Sequence, residues 1–245
     1  AKKPIALLAC DATGAERFIG AEAAAVGAKH WPGALTVVAQ GEGVRVPDHG
    51  WTRKLIAACG GALRVTSANL SGQRAATDAP AALKDIGLSA DLVVDDGVSP
   101  GGTASTVVKV ADGQLTVLRE GPVKFLTLAS GSPRRAKILK DHGVDFVIAK
   151  SDAPEVSYPH DPERTVRENA LAKGESVSAT RPSAVSLRSA VRGRCGYSDL
   201  ARDAPHILSA DTIVWFDNRI YGKPKDLEEA KSYLRELSGN VHTVF

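Results

Sequence analysis

Six consecutive residues, Ser130-Gly131-Ser132-Pro133-Arg134-Arg135, join a small-residue turn to two guanidinium groups. An apolar run, Phe125 to Ala129, precedes them, and Ala136, Ile138 and Leu139 follow at helical spacing before Gly143. A strand that enters a helix through such a turn aims free backbone N–H groups and the positive end of the helix dipole at one point, and Pro133 suits the first helical turn. Two arginines beside that point make it a site for a triphosphate. A capped surface helix with solvated arginines accounts for the six residues almost equally well. Farther on, Asp211 interrupts the apolar run from Ile207 to Phe216. Strands disfavour a carboxylate there and cores exclude it unless it is paired or bound to metal, so Asp211 marks a second candidate position. Lys223, between Gly222 and Pro224, is either a further phosphate ligand or a turn lysine in water.

The first half carries quieter signals. Thr66-Ser67-Ala68-Asn69 follows a short apolar run ending at Val65, and His30-Trp31-Pro32-Gly33 leads into the run Leu35 to Val38. Hydroxyl and amide groups at a strand end lie where α/β sheets bind ligands. Ordinary turn chemistry is the alternative.

Apolar runs of strand length alternate with helix-patterned segments along the whole chain, which is layered α/β architecture. Ser105 to Val110 and Leu115 to Arg119 read as a hairpin turned by Asp112-Gly113. Trp51 to Ala58 reads as a helix stopped by Gly60-Gly61, and Asp226 with Glu229 as a capping box opening a helix that buries Ala230, Leu234 and Leu237. Glu120-Gly121-Pro122 ends the hairpin and a new strand starts at once, so the expected domains are 1–123 and 124–245. Ala179 to Ala204, with five arginines among serines and glycines, reads as a mobile surface insertion that either binds RNA or stays solvated.

A net charge of +3 and a pI near 8.8 favour anionic ligands without selecting one. Cys10, Cys59 and Cys195 are too widely spaced for a zinc or redox motif and read as reduced thiols of a cytoplasmic protein. No run approaches the roughly 20 apolar residues that cross a bilayer. The chain contains no methionine, so a start other than a natural initiation site is expected.

Leu128 to Arg135, Glu155, Ser209-Ala210-Asp211-Thr212-Ile213-Val214, Gly222-Lys223-Pro224 and Leu237-Ser238-Gly239, in this order, resemble the Maf family. The resemblance implies cleavage of nucleoside triphosphates between the α and β phosphates with a divalent cation such as Mg²⁺. It implies that Ser132, Arg134 and Arg135 bind the substrate's phosphates together with Lys223, that Thr212 helps select the base, that Asp211 is the acid/base or metal-linked carboxylate, and that Glu155 helps hold metal. Val65 to Gly72, Gly101 to Val108 and Val117 to Gly121 resemble the YrdC family of threonylcarbamoyl-AMP synthases. That likeness implies synthesis from ATP, L-threonine and bicarbonate for tRNA modification, with Ser67 and Asn69 on ATP, Arg45 and Ser105 by threonine, and Arg119 on phosphate. Family segments with Tyr-Pro-Thr and Lys-x-Arg at the start, and further strands with a glutamine at the end, have no counterpart here. The expected architecture is therefore two consecutive mixed-sheet α/β domains, YrdC-like and then Maf-like, each shortened at its outer end. An RNA-binding module and an inactive fragment are the rival readings. If Asp211 orients water or Mg²⁺, Asp211→Asn should lower hydrolysis at least ~100-fold and leave stability unchanged or improved, whereas a merely structural, hydrogen-bonded Asp211 would cost about 1–3 kcal/mol on the same substitution.

Overall fold

Strict apolar patterning and two positive-φ turns build the first sheet. The computed structural model describes residues 5–70, 76–99, 104–180 and 206–245. It divides into two units, Ala1–Lys124 and Phe125–Phe245. The expected arginine-rich insertion, Ser71-Gly72 and Gly101-Gly102-Thr103 lie outside the described residues, apart from Ala179 and Thr180 at the insertion's edge.

In the first unit the elements run β1 (Ala6–Ala9), α1 (Ala12–Ala28), β2 (Leu35–Ala39), β3 (Glu42–Arg45), α2 (Gly50–Ala58), β4 (Ala62–Val65), α3 (Ala79–Ile86), β5 (Thr106–Ala111) and β6 (Gln114–Arg119). The strands lie in the order β4-β1-β3-β2-β5-β6. β1 with β3 and β2 with β5 are parallel, and the other neighbours antiparallel. Gln40-Gly41 and Asp112-Gly113 take left-handed backbone at both hairpin turns, as the twist of the flanking strands demands. The expected hairpin at Asp112 is present. Leu35, Val37, Val44, Val46 and Val108 are fully or almost fully buried, with Ala15, Ile19 and Ala23 of α1 among the buried residues of the same core.

One close backbone approach and one buried hydroxyl set the far end of this sheet. A Cβ on Gly121 would lie 2.3 Å from the Thr106 nitrogen and 2.7 Å from the Ala104 oxygen. The chain after β6 therefore lies flush against the start of β5. Fully buried Thr106 fastens it there: its hydroxyl donates to the Val123 carbonyl at 2.8 Å and accepts from the Val123 N–H at 2.9 Å.

The second unit contains β7 (Leu126–Leu128), α4 (Pro133–Asp141), β8 (Phe146–Ile148), α5 (Pro162–Ala179), β9 (Ile207–Leu208), β10 (Val214–Phe216), β11 (Arg219–Tyr221), α6 (Leu227–Leu237) and β12 (Thr243–Val244). β8, β7 and β9 form a parallel set, while β10 pairs antiparallel with β11 and β12. Two expectations change here. Asp211 does not interrupt one strand; it lies in the connection between β9 and β10, which belong to different pairings, so no ladder hydrogen bond has to accommodate it. Leu234 is 69% exposed, and Ala230 and Leu237 are half-buried, so none of the three is buried as expected. Helical periodicity located an apolar stripe on α6, but polar and aromatic contacts choose the face that packs. Tyr221 and Tyr233 meet edge to face at 5.1 Å, and Glu236 accepts from Tyr221, Arg219 and Ser232. Asp226 caps α6 as expected, accepting from the Glu229 N–H at 2.8 Å, while Glu229 reaches back to the Lys225 N–H. Among the described residues no helix is long and apolar enough to cross a membrane.

Gly121→Ala should destabilise the protein by about 1–3 kcal/mol, because the obstruction is backbone and cannot rotate away. Gly50→Ala, where a Cβ meets nothing within 4 Å, is the matched control. Urea denaturation of both variants checks this, and equal midpoints would refute the close approach.

Candidate active site

Parallel pairing sends the C-terminal ends of β7, β8 and β9 to one edge, and the chain beyond each end carries polar residues. Beyond β7 the backbone turns through Ser130-Gly131-Ser132 into α4. Ser132 is the N-cap residue but makes no side-chain capping bond, and its N–H donates to Ser130 Oγ at 3.2 Å. The first amides of α4 have no intrahelical acceptor, so they and the helix dipole face whatever lies before the helix. Beyond β8, Lys150 lies along Gly131: a Cβ there would be 3.4 Å from Lys150 Cε. This extra cation was not singled out in the sequence.

The two arginines divide in role. Arg134 is exposed and makes no side-chain hydrogen bond or ion pair among the described residues. Arg135 instead braces two loops: Nη1 donates to Ser130 Oγ at 3.0 Å and to the Ala210 carbonyl at 2.8 Å, and Nη2 donates to Thr212 Oγ1 at 2.9 Å. Three of its five N–H donors are thereby engaged within the protein. The Thr212 hydroxyl donates in turn to the Asp211 carbonyl at 2.8 Å. The expected site residues Ser132, Arg135, Asp211 and Thr212 are thus linked through one network.

A polar stripe on α5 completes the edge. Thr165, Asn169 and Lys173 recur every fourth residue and so share one helix face. Thr165 accepts from the Tyr158 N–H and donates to the Asp161 carbonyl. Asn169 is 3% exposed and clasps both backbone groups of Val156, accepting at 2.8 Å and donating at 3.1 Å. It also donates to Asp211 Oδ2 at 3.1 Å. Lys173 Nζ stands 2.6 Å from Asp211 Oδ1 and 2.8 Å from Glu155 Oε1, joining the two carboxylates predicted to act together. Burial disfavours the Lys173 charge, but its hydrogen bonds to Asp211 and Glu155 outweigh this and hold its pKa above the ordinary lysine value. Gly174 lets β9's continuation come close, since a Cβ there would lie 2.9 Å from Ser209 Oγ. Asn169 and Lys173 were missed in the sequence; the readable signal was a four-residue repeat of polar side chains aligned with Val177. Lys223 is exposed in the β11–α6 loop, with no bond to the other expected site residues.

In the first unit, register gathers Arg45, Ser105 and Arg119 at one end of the sheet. Arg119 Nε and Nη2 donate to the Ser105 carbonyl at 3.0 and 2.8 Å, and Nη2 reaches Ser105 Oγ at 3.1 Å. Ser105 Oγ shares a buried 2.9 Å bond with Thr36 Oγ1. Arg45 Nε donates to the Gly33 carbonyl at 2.8 Å. Burial pushes the Arg45 pKa down, the neighbouring Arg119 charge adds to this, and Asp48 opposes it. β4 runs antiparallel to β1, so Ser67 and Asn69 leave the sheet at its other end. A cavity of about 630 Å³ near Ala68 is lined mostly by apolar residues, with Asp48, Asp78, Asp95 and Asp96 among them.

Because Asp211 is the nearly buried counter-charge of Lys173, Asp211→Asn should cost about 1–3 kcal/mol, which reverses the expectation drawn from its sequence position. Combining it with Lys173→Met should recover part of that loss in urea denaturation. An unchanged midpoint for the single variant would mean that the pair contributes nothing.

Residues 1–121 match the family model described as "Telomere recombination" (Sua5_yciO_yrdC), and residues 125–245 match "Maf-like protein". Over 120 residues the chain is 36% identical to a dTTP/UTP pyrophosphatase of Thermotoga maritima, covering 49% of each protein. Over 124 residues it is 38% identical to a dTTP/UTP pyrophosphatase of Caldicellulosiruptor saccharolyticus, covering 50% of this chain and 54% of that one. The chain spans about half the length of the curated relatives it matches. Among solved structures, P. abyssi Sua5 complexed with L-threonine has a TM-score of 0.46 at 23% identity, covering 64% of this chain and 50% of that one. One polypeptide here joins two families: its first half belongs to the Sua5/YrdC family and its second half to the Maf family.

Proposed function

We propose that the second half hydrolyses nucleoside triphosphates to the monophosphate and pyrophosphate, with dTTP and UTP, the nucleotides in its relatives' names, as the preferred substrates. The observation that carries this reading is the shared edge of β7, β8 and β9, where an open helix N-terminus, the unpaired Arg134 and the Glu155–Lys173–Asp211 group come together. Arg134, Ser132 and the α4 amides bind phosphate oxygens, and Lys223 and the two remaining N–H groups of Arg135 add to them. Thr212, fixed by Arg135, faces the base. Asp211 has a donor on each oxygen, and each oxygen keeps a further lone pair to orient the attacking water.

Glu155 and Asp211 offer hard oxygen donors suited to Mg²⁺, which is commonly held by one or two carboxylates together with substrate phosphates and water. Among the described residues no group of three or more His, Cys, Asp or Glu gathers, and these two carboxylates are the ligands they would supply. When bound, the metal would neutralise charge developing on the phosphates.

For the first half we propose threonylcarbamoyl-AMP formation from ATP, L-threonine and bicarbonate. Arg45 and Ser105 contact threonine, Arg119 contacts phosphate, and Ser67 and Asn69 hold ATP. The crowded Arg45–Arg119 pair supports an anion at that end.

Pyrophosphate release from a panel of triphosphates tests the second half. Asp211→Asn should lower the rate by at least ~100-fold, the scale of losing a positioned acid/base. Arg134→Ala should mainly raise KM. A parent protein inert towards every triphosphate would overturn the reading. For the first half, Arg119→Ala should weaken threonine- and bicarbonate-dependent pyrophosphate release from ATP while leaving dTTP hydrolysis intact; equal rates would remove Arg119 from the site.

A further inference from the structure

The Lys173 ammonium sits where two carboxylates converge, with 2.6 Å to Asp211 and 2.8 Å to Glu155, both at the length of a charge-assisted hydrogen bond. A divalent cation bound by the same two side chains needs the same space. Asp211 cannot turn aside to serve both cations, because Asn169 holds its second oxygen and is itself locked to both backbone groups of Val156. That clasp also fixes the backbone next to Glu155. Lys173 is 16% exposed and Asp211 10%, whereas Glu155 is 60% exposed, so the ammonium and Asp211 fill the inner part of the position and Glu155 alone remains open on the outside.

Resting on the reading of Glu155 and Asp211 given above, we propose that Lys173 is a built-in cation that competes with the divalent metal for these two carboxylates, and that a triphosphate relieves the competition by giving the ammonium a new anionic partner. Metal alone then binds weakly, and metal and nucleotide bind with positive coupling. The lysine stem has four flexible carbons, so the ammonium can leave the carboxylates while its Cα stays on α5. By reciprocity, a metal that gains affinity from the nucleotide must strengthen nucleotide binding by the same factor.

The test is Mn²⁺ affinity, read from the free-ion paramagnetic resonance signal, in the parent, Lys173→Met, and Lys173→Met with Asp211→Asn. Without nucleotide, Lys173→Met should bind Mn²⁺ about 10-fold more tightly than the parent, within the usual span of coupling factors, and the added Asp211→Asn should abolish that gain. Because the triphosphate itself supplies metal ligands, a non-hydrolysable dTTP analogue should tighten Mn²⁺ binding to both proteins, but by a larger factor to the parent than to Lys173→Met, and equal factors overturn the competition. Equal or weaker Mn²⁺ binding by Lys173→Met overturns the competition. If that variant fails to fold, Mg²⁺ is titrated into the parent labelled with ¹³C at lysine Cε: a moving Lys173 signal supports displacement, and a stationary one at saturating Mg²⁺ overturns it. Pyrophosphate release separates the two readings. Equal Mn²⁺ affinities with hydrolysis still dependent on Asp211 would sink the competition alone, while hydrolysis indifferent to Asp211 would sink the site as well.

Discussion

An ammonium ion held between two carboxylates is the constraint around which the second unit is arranged. Lys173 needs counter-charge because it is largely buried, and Asp211 needs a cation for the same reason. Satisfying both requires α5 to lie alongside the chain that follows β9, and Gly174 and Ser209 make that approach close. Asn169 extends the constraint to a third segment by clasping Val156, which brings Glu155 to the same ammonium. One helix face therefore positions groups from two segments that are far apart in the chain.

Arg135 plays the matching part on the other side. A guanidinium fork can hold several acceptors in fixed geometry, and here it joins the loop before α4 to the Ala210–Thr212 connection. Its neighbour Arg134 has no such duty and stays exposed. Two adjacent arginines with the same chemistry thus differ in function because successive helical positions point about 100° apart, one towards the Ala210 carbonyl and one to solvent.

The first unit solves a related problem with backbone instead of buried ion pairs. The chain after β6 lies so close to β5 that only glycine fits at position 121, and Thr106 ties it down through Val123. This closeness delivers the Ser105 carbonyl to Arg119 and leaves the guanidinium beside Arg45. Like charge at that sheet end accompanies the arrangement.

Local chemistry made much of this legible in the sequence. Asp112-Gly113 must turn a hairpin, Pro133 suits a first helical turn, and Asp226 with Glu229 caps a helix, because each depends on residues within a few positions of one another. The order of motifs likewise carried both family likenesses. What tertiary structure decided are the matters that depend on partners distant in sequence. Asp211 and Lys173 are 38 positions apart and Arg135 and Thr212 are 77 apart, and no periodicity announces that they meet. Asp211 reads as a strand interruption until β9 and β10 are seen to join different partners. Leu234 reads as core until Tyr233 and Glu236 claim the packed face of α6. Spacing along the chain determines which side chains share a face; only the packing of that face against another segment determines which of them become buried, paired or free to bind a ligand.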